Sequence, residues 1–541
     1  MNQLFERLLK KRGVGEDFLH PKYEDLADPF LMPDMEKGVD RIKKAILAKE
    51  KILIYGDYDV DGVTASTVME EALVLAGVPK SNIYIMLPDR FADGYGMSPK
   101  MIGFAKEHEA KLVITVDCGS RNHAIVEELN TLGIDTIVTD HHECEDDLPD
   151  AVAVVNPKRK DYVPEPESVR ELAGVGVAFK VACGLVKAGL IPEGQEKWLL
   201  DLVLLGTVCD SMVLLGENRI LGYYGLKVLK KTRRKGLKAL FASASIKDIN
   251  AECVGFMIGP RLNAAGRLET ADIALNLLRA DSATEAVKLA AKLEELNKKR
   301  RTEQTAAAKE IDERGIDDTP VIIETGKWHE GILGIVAGRL VEKYHKPAFV
   351  LTEVNGGIYK GSGRSFGDFN LADALAFAGD AIIGGGGHAG AAGVKVAGDK
   401  LYEFREKINA YYDSLHLTGQ DEYLKHSYDL EVDSLGEIDA ELVDSLELLE
   451  PYGPGNEDPV FCLKNARIVE CTKMGADQNH LRIVVKDETG NRLKLVAFFA
   501  PEEWFGVDEE GRYDLLFRPV MNEFQSVRNV EGRIIDITRV L

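Results

Sequence analysis

Lys51-Ile-Leu-Ile-Tyr-Gly-Asp57-Tyr-Asp59-Val-Asp61-Gly62 drives a short apolar run straight into three aspartates. A run of this length, followed by a helical pattern over 62–77, predicts a buried strand that hands over to a helix. The same grammar recurs twice. Lys111-Leu-Val-Ile-Thr-Val leads into Asp117, and Gly133-Ile-Asp-Thr-Ile-Val-Thr leads into Asp140-His141-His142. In an open parallel sheet, ligands bind outside the carboxyl ends of the strands, so the three loops converge on one crevice. That many like charges repel unless divalent cations neutralise them, and the pattern predicts a metal-dependent hydrolase.

Outward from this stretch, a helix over 35–50 introduces the first strand. Strands at 51–56, 82–87, 111–116, 134–139 and 151–155 alternate with helices at 62–77, 98–109 and 121–132, which implies βαβ units and a mainly parallel sheet. From about 168 to 280 the pattern is mostly helical. Residues 284–313 hold helical periodicity without Gly or Pro, about 45 Å at 1.5 Å per residue, as a strut between two domains. A second α/β pattern follows, with strands at 321–324, 348–351, 357–360 and 394–396, helices at 331–344, 370–379 and 400–415, and a Gly-rich turn between 379 and 394. After Pro451-Tyr-Gly-Pro-Gly-Asn456, strand patterns at 460–470, 480–487, 491–499, 512–519 and 533–539 fit a small Greek-key barrel.

Length and composition agree with this division. At 541 residues the chain has room for roughly three to four domains of about 150 residues. Hydrophobic content of 45% and charged content of 29% are ordinary for globular protein. No apolar run approaches the roughly 20 residues of a membrane span, and the start lacks a signal-peptide pattern, so a cytoplasmic protein is expected. The seven cysteines form no CxxC pair and read as reduced thiols. Carboxylates suit hard Mg²⁺ or Mn²⁺ better than a thiolate-bound metal. The net charge of −22 stands against a nucleic-acid partner at first sight. Distribution counts for more than the sum, however, and Lys227–Lys238 carries seven Lys/Arg and no acid, with Lys298-Lys-Arg-Arg301 further on. Solvated helix faces are the competing reading of both runs.

Several motifs need weighing. Asp57-x-Asp59-x-Asp61-Gly62 imitates an EF-hand, but loop position 12 is Val68 and a strand precedes the loop, so that reading fails. In Asp140-His141-His142 the two rings face different ways on a strand, one suited to metal and the other to phosphate. Leu204-Leu-Gly-Thr-Val-Cys-Asp210 ends an apolar run on another carboxylate. Alone it is a helix cap, but two octahedral ions about 3.5–4 Å apart need a bridging carboxylate and further terminal ligands. The segment Gly384–Gly393 contains a formal GxGxxG, yet it follows a helix and opens a strand, which excludes a dinucleotide fingerprint. What remains is a backbone cradle for phosphate at Gly386 and Gly387, with His388 as donor. Ser362-Gly-Arg364-Ser365 adds a guanidinium and hydroxyls suited to phosphate, against a structural ion pair for Arg364.

Taken together, D-x-D-x-D-G, V-D-C-G, D-H-H and G-T-V-x-D resemble the DHH phosphoesterase superfamily, and G-G-G-G-H-A-G-A-A-G resembles its associated C-terminal domain. The chain is more similar still to the bacterial RecJ family. Pro88-Asp-Arg-Phe-Ala-Asp-Gly-Tyr-Gly, Glu217-Asn-Arg, Arg261-Leu-Asn-Ala-Ala-Gly-Arg, Trp328-His-Glu-Gly-Ile-Leu-Gly and Pro451-Tyr-Gly-Pro-Gly-Asn carry that likeness from about residue 45 to the end. Two departures stand out. That family often has D-N-G where this chain has Asp117-Cys118-Gly119, and Pro where it has Glu330.

The resemblance implies an α/β fold in which a parallel-sheet DHH domain (46–280) follows an N-terminal segment (1–45). A connecting helix (281–316) would lead to a smaller α/β DHH-associated domain (317–420), and a linker and OB-like barrel (421–541) would complete the chain. It implies a single-strand-specific 5′→3′ DNA exonuclease of repair and recombination, using two Mn²⁺ or Mg²⁺ ions. Asp57 and Asp59 would hold one ion with Asp117 bridging, and Asp61, Asp117, His141 and Asp210 the other. Asp140 and His142 would complete the catalytic set, with His142 on the scissile phosphate. Arg90, Ser362 and Arg364 would grip the terminal 5′-phosphate, and Arg261, Asn263 and Arg267 the strand beyond it. In the barrel, Phe498, Phe499, Trp504 and Phe524 are candidate stacking platforms, with core packing as the competing reading. Beyond single-stranded DNA, it implies a single-strand-binding protein and a RecQ-type helicase as partners of a monomer. A phosphodiesterase for short oligonucleotides or cyclic dinucleotides is the enzymatic alternative, and a replication scaffold without activity the non-enzymatic one.

Overall fold

The strands of the first α/β region close into one sheet whose order sets the position of the acidic loops. β1 (Ile52–Tyr55), β2 (Ile83–Met86), β3 (Leu112–Val116), β4 (Asp135–Thr139) and β5 (Ala153–Val155) run in the order β2-β1-β3-β4-β5 in this computed structural model. All four pairings are parallel. The structure describes residues 2–163, 166–508, 511–524 and 527–540. β1 and β3 are buried throughout, because helices cover both faces of the sheet, so they read as continuous apolar runs rather than alternating ones. The chain reverses direction across the sheet between β1 and β3. Ligands bind at such a switch point, and Asp57 and Asp117 leave the sheet on either side of it.

The helix Val60–Leu75 carries almost no polar face and is buried nearly all round, packed by the helices Gly174–Lys187 and Leu200–Cys209. Its hydroxyls stay satisfied by returning to the backbone one turn earlier, as Ser66 Oγ does to the Gly62 carbonyl at 2.7 Å. Two ionic networks hold its far end. Arg279 pairs with Glu70 at 2.6 Å, and Arg234 reaches Glu71 and, at 3.1 Å, the buried Asp201. The basic run 227–238 is therefore partly structural: besides Arg234, the Arg233 guanidinium lies 3.4 Å from the centre of the Trp198 ring.

The strut is a single helix of 32 residues, Ala283–Arg314, capped by the Ser282 hydroxyl on the Glu285 amide. Its first part is tied to the first α/β region and its helices through Glu294–Arg261 and Lys292–Glu269. Its last part is tied to the second α/β layer through Asp312–Lys343 and Glu310–Trp328. That layer is a mixed sheet of β6 (Ile322–Gly326), β7 (Ala348–Asn355), β8 (Ile358–Arg364), β9 (Gly384–Gly387) and β10 (Ala391–Ala397), ordered β6-β7-β8-β10-β9. Here the structure corrects the expectation of a Gly-rich turn between 379 and 394. Gly384–Gly387 is an exposed edge strand paired with β10, and the turn shrinks to residues 388–390. With no side chains to pack, that strand gives no alternating pattern to read.

These elements belong to one compact unit, residues 27–212 and 225–423. Residues 1–26, 213–224 and 424–541 form a second. In the second unit, β11 (Leu430–Glu431), β12 (Phe461–Met474), β13 (His480–Lys486), β14 (Arg492–Ala497), β15 (Arg512–Phe524) and β16 (Val527–Arg539) follow the order β11-β12-β13-β14-β16-β15. The pairing of β12 with β15 closes five of them into a barrel. Leu4, Phe5 and Leu8 of the helix Gln3–Arg12 share its core with Phe461, Leu495 and Phe517. Of the four candidate platforms, Phe498 and Phe499 are exposed and flank the His480 ring at 5.4 and 4.8 Å. Trp504 packs against the core, as the competing reading had it, and the side chain of Phe524 lies outside the described residues.

Replacing Arg234 by Ala leaves Asp201, 2% exposed, as a buried charge without its guanidinium. A loss of about 3–5 kcal/mol of unfolding free energy is expected, read from the urea midpoint at constant m-value.

Candidate metal centre

Four loops bring their acids together. Asp59 caps the helix Val60–Leu75 by accepting from the Gly62 amide at 3.1 Å, which turns the loop so that Asp57 and Asp61 lie on either side. Asp61 is anchored across the pocket by the amino terminus of the helix Gly174–Lys187. Its Oδ2 accepts from the Gly174 amide at 2.7 Å and its Oδ1 from the Val175 amide at 2.9 Å, where the helix dipole favours an anion. Asp117 sits at a left-handed φ of 61°, a strained conformation that turns its carboxylate back over the end of β3. A Cβ on Gly174 would lie 2.6 Å from the Asp117 Oδ1, so only glycine allows this approach. Asp210 follows the helix Leu200–Cys209 and, like Asp59, is only partly buried.

The resulting distances suit metal ions. His141 Nε2 lies 3.1 Å from Asp117 Oδ1, 3.6 Å from Asp210 Oδ2 and 3.8 Å from Asp61 Oδ2. Ligand atoms of Asp57, Asp59 and Asp117 all fall within 4.8 Å of one another, as do those of Asp61, His141 and Asp210. Asp117 touches both groups: its Oδ1 and the Asp57 Oδ1 are buried without a hydrogen-bond partner. No cysteine enters these clusters among the described residues. Buried oxygens without donors, beside a neutral imidazole, fit hard divalent cations.

Electrostatics lead to the same reading. Burial, and then the other carboxylates, push Asp61 and Asp117 well above the usual range. Burial and Asp59 raise Asp57 to about 8 and Asp210 to about 7. Burial, and then His142, hold His141 down to about 3, leaving its ring neutral with a lone pair to give.

Asp140 is different. Its Oδ1 accepts from the His141 and His142 amides (2.8 and 3.1 Å) and lies 2.8 Å from His142 Nδ1, while its Oδ2 accepts from the Ser120 amide at 3.0 Å. These contacts outweigh burial and keep it ionised well below the ordinary value. Burial opposes charge on His142, but Asp140 outweighs it and raises the imidazole. Sequence reasoning missed Tyr95, whose hydroxyl lies 2.8 Å from the same Nδ1, and the Gly174 and Val175 amides behind Asp61. The signal for the amides was the stretch Leu172-Ala-Gly-Val-Gly-Val, a small-residue opening to an apolar helix.

A second cluster draws on both α/β layers, with Arg90 and Arg267 from the first and Ser362 and Arg364 from the second. Arg90 stacks on Tyr58 at 4.7 Å, and the Arg267 guanidinium approaches the Gly331 carbonyl at 3.3 Å. Arg364 lies 3.2 Å from Ser362 Oγ and donates to the Gly363 carbonyl at 2.8 Å. Gly334 leaves the space beside Arg364 and Ser362 open. Burial, and then Arg90, Arg300 and Arg364, pull Arg267 down to about 9; burial and Arg90 lower Arg364. None of these three arginines has a carboxylate within 4 Å among the described residues, so a structural ion pair does not account for Arg364.

Other expected contacts to the strand fall elsewhere. Arg267 groups with Arg90 and Arg364, whereas Arg261 is clasped by Glu294 at 2.6 and 3.3 Å. Asn263 is half-buried on the same helix. Ser365 gives its hydroxyl to the Phe369 carbonyl, and Gly386, Gly387 and His388 are exposed along β9 and its turn. Glu330 binds Lys360 at 2.8 Å.

Known proteins share this architecture. The DHH family, N-terminal domain, is matched over residues 51–207, the DHHA1 domain over 318–414 and the RecJ OB domain over 428–536. The single-stranded-DNA-specific exonuclease RecJ of Bacillus subtilis is 37% identical over 545 residues, spanning 98% of this chain and 67% of that one. Its Escherichia coli counterpart is 32% identical over 566 residues, spanning 98% and 94%. The crystal structure of RecJ in complex with Mn²⁺ from Thermus thermophilus superposes with a TM-score of 0.84 at 26% identity, covering 99% of this chain and 76% of that one. With Mg²⁺ the values are 0.78, 25%, 98% and 74%.

In chelator, these raised carboxylates are expected to make stability fall as pH rises. A carboxyl whose folded pKa exceeds its unfolded value of 3.8 favours folding while protonated and loses that contribution through its folded pKa, about 7 for Asp210 and about 8 for Asp57. His141 opposes this only below its ordinary 6.5, so the window to measure is pH 6.5 to 8. Unfolding free energy in that window should drop with pH in chelator, and a fixed Mn²⁺ concentration should raise it most at pH 8, by about 2.7 kcal/mol where that concentration is a hundred times Kd.

Proposed function

The chain belongs to the RecJ family of single-stranded-DNA-specific exonucleases, and from that premise we propose how its residues share the work. The protein is a metal-dependent exodeoxyribonuclease that uses Mn²⁺ or Mg²⁺. The observation that carries the assignment of roles is a set of five carboxylates, three of them buried, and one neutral imidazole at ligand distance. Asp57, Asp59 and Asp117 would hold one ion, and Asp61, Asp117, His141 and Asp210 the other. When bound, such a pair supplies a nucleophilic water at neutral pH and neutralises charge on the phosphate.

The remaining steps fall to the chain itself. Asp140, with both oxygens occupied, is a positioning residue: it fixes His142 through Nδ1 and leaves Nε2–H free to donate to a scissile phosphate oxygen. Arg90, Arg267, Arg364 and Ser362 would bind the terminal 5′-phosphate beside the metals, so that the first linkage reaches the cluster. That arrangement supports removal from the 5′ end. A passage between two facing layers, lined by guanidinium groups rather than base-reading pairs, supports single strands of any sequence.

The setting follows from the substrate. We assign the enzyme to repair and recombination in the cytoplasm, as a monomer that consumes strands freed by a RecQ-type helicase and covered by a single-strand-binding protein. No helix among the described residues is long and apolar enough to cross a membrane.

Digestion of single strands labelled at either end should release the 5′ label first; early release of the 3′ label would refute the proposed polarity. Arg364→Ala removes a charged donor worth about 1.5–3 kcal/mol, so preference for 5′-phosphorylated over 5′-hydroxyl ends should fall roughly tenfold to a hundredfold. Initial rates on the paired substrates measure it.

A further inference from the structure

Between its two anchored ends, the helix Ala283–Arg314 presents an exposed stripe: Lys298, Arg301, Thr302, Thr305 and Lys309. They line a groove of about 690 Å³, together with Glu294 and Asn297. Successive groups are one to four residues apart, so donors recur about once per turn, roughly every 5.4 Å along the axis. Lys298 and Arg301 have no carboxylate within 4 Å among the described residues. Glu294, the acid of the groove, is already neutralised by Arg261. Lys309 pairs with Glu313 at 3.5 Å on the exposed surface, so the uncompensated cations of the groove are Lys298 and Arg301, in a chain of net charge −22.

The stripe continues the terminal-phosphate cluster. Arg300, bonded to Asn297 Oδ1 at 3.2 and 2.8 Å, is lowered by burial and then by Arg301 and Arg261, and its charge in turn lowers Arg267. Arg300 thus lies within electrostatic reach of Arg267 on one side and of Arg301, in the groove, on the other. An apolar element stands beside them. Arg261, while holding Glu294, also donates to the Met257 carbonyl at 2.8 Å, within the π-helical turn Val254–Ile258. Phe256 on that turn is 79% exposed. π-turns concentrate at functional positions, and cations beside an exposed ring are the recurring recipe for single-strand binding.

We propose that the connecting helix is a rail for the substrate. The sugar-phosphate backbone on the 3′ side of the cut linkage runs along Lys298, Arg301 and Lys309, and a base stacks on Phe256. The proposal rests on the exonuclease reading and gives the strut a binding role in addition to its spacing role.

Fluorescein-labelled dT20, titrated in EDTA over a range of salt, separates the two kinds of contact. Lys298→Glu/Arg301→Glu should weaken binding about tenfold or more and flatten the log–log salt slope by roughly 1.4, at about 0.7 per lost phosphate contact on a single strand. Lys298→Ala/Arg301→Ala, which adds no charge, should lose the same slope and serves if the reversal fails to fold. Phe256→Ala should weaken binding about tenfold with the slope unchanged. Lys288→Glu, exposed on the same helix but outside the groove, should match wild type. In turnover, KM of the double variants should rise more for 20-mers than for trimers. Wild-type slope and affinity in both double variants, or an equal loss in Lys288→Glu, overturns the rail. A wild type that fails to digest single strands overturns the exonuclease reading instead.

Discussion

Five carboxylates crowd one poorly solvated pocket, and among the described residues no lysine or arginine pairs with any of them within 4 Å. The nearest imidazole, His141, is kept neutral by the same burial. Like charges at a few ångströms in a poorly solvated pocket repel strongly, so the fold tolerates this arrangement either with protons on some of the acids or with cations among them. The rest of the first α/β layer is organised around keeping these oxygens close. Parallel strands bring three loops to one edge, the helix amides of Gly174 and Val175 pin Asp61, and the left-handed turn at Asp117 aims a carboxylate at two ligand groups at once.

The same accounting divides residues that look alike in the sequence. Asp117 and Asp140 both end strands, yet one keeps a buried oxygen free of donors and the other has accepted every donor in reach. The first is chemically hungry for a cation. The second is satisfied, ionised and rigid, which makes it a clamp for His142. Two adjacent histidines divide in a similar way: burial, reinforced by His142, dominates His141, whereas the Asp140 partner reverses its effect on His142.

How far the sequence could be read follows from this. Strand–acid junctions were legible because a doubly covered sheet writes its strands as unbroken apolar runs, and Asp57, Asp61, Asp117, His141 and Asp210 all came from those junctions or from the helix next to them. The barrel was legible from strand spacing alone. What stayed hidden had no side-chain signature. The amides behind Asp61 are backbone groups, the Gly384–Gly387 strand has nothing to alternate, and the regrouping of Arg267 with Arg90 and Arg364 depends on which face of a helix meets another layer. Arg234 misled in the opposite sense, since a run of positive charge carries no mark of the acids that meet it from a distant helix.

The junction of the two α/β layers has one more property. Gly331 meets the Arg267 carbonyl so closely that any β-carbon there would overlap it, so main chain rests on main chain where the two layers meet. Side chains flex, whereas a backbone seam does not. If the proposed arginines hold the end of a strand, its separation from the reacting linkage would be set by this seam, a gauge that ignores whether the terminal base is large or small. A cutter built on such a gauge advances by equal strides along any message.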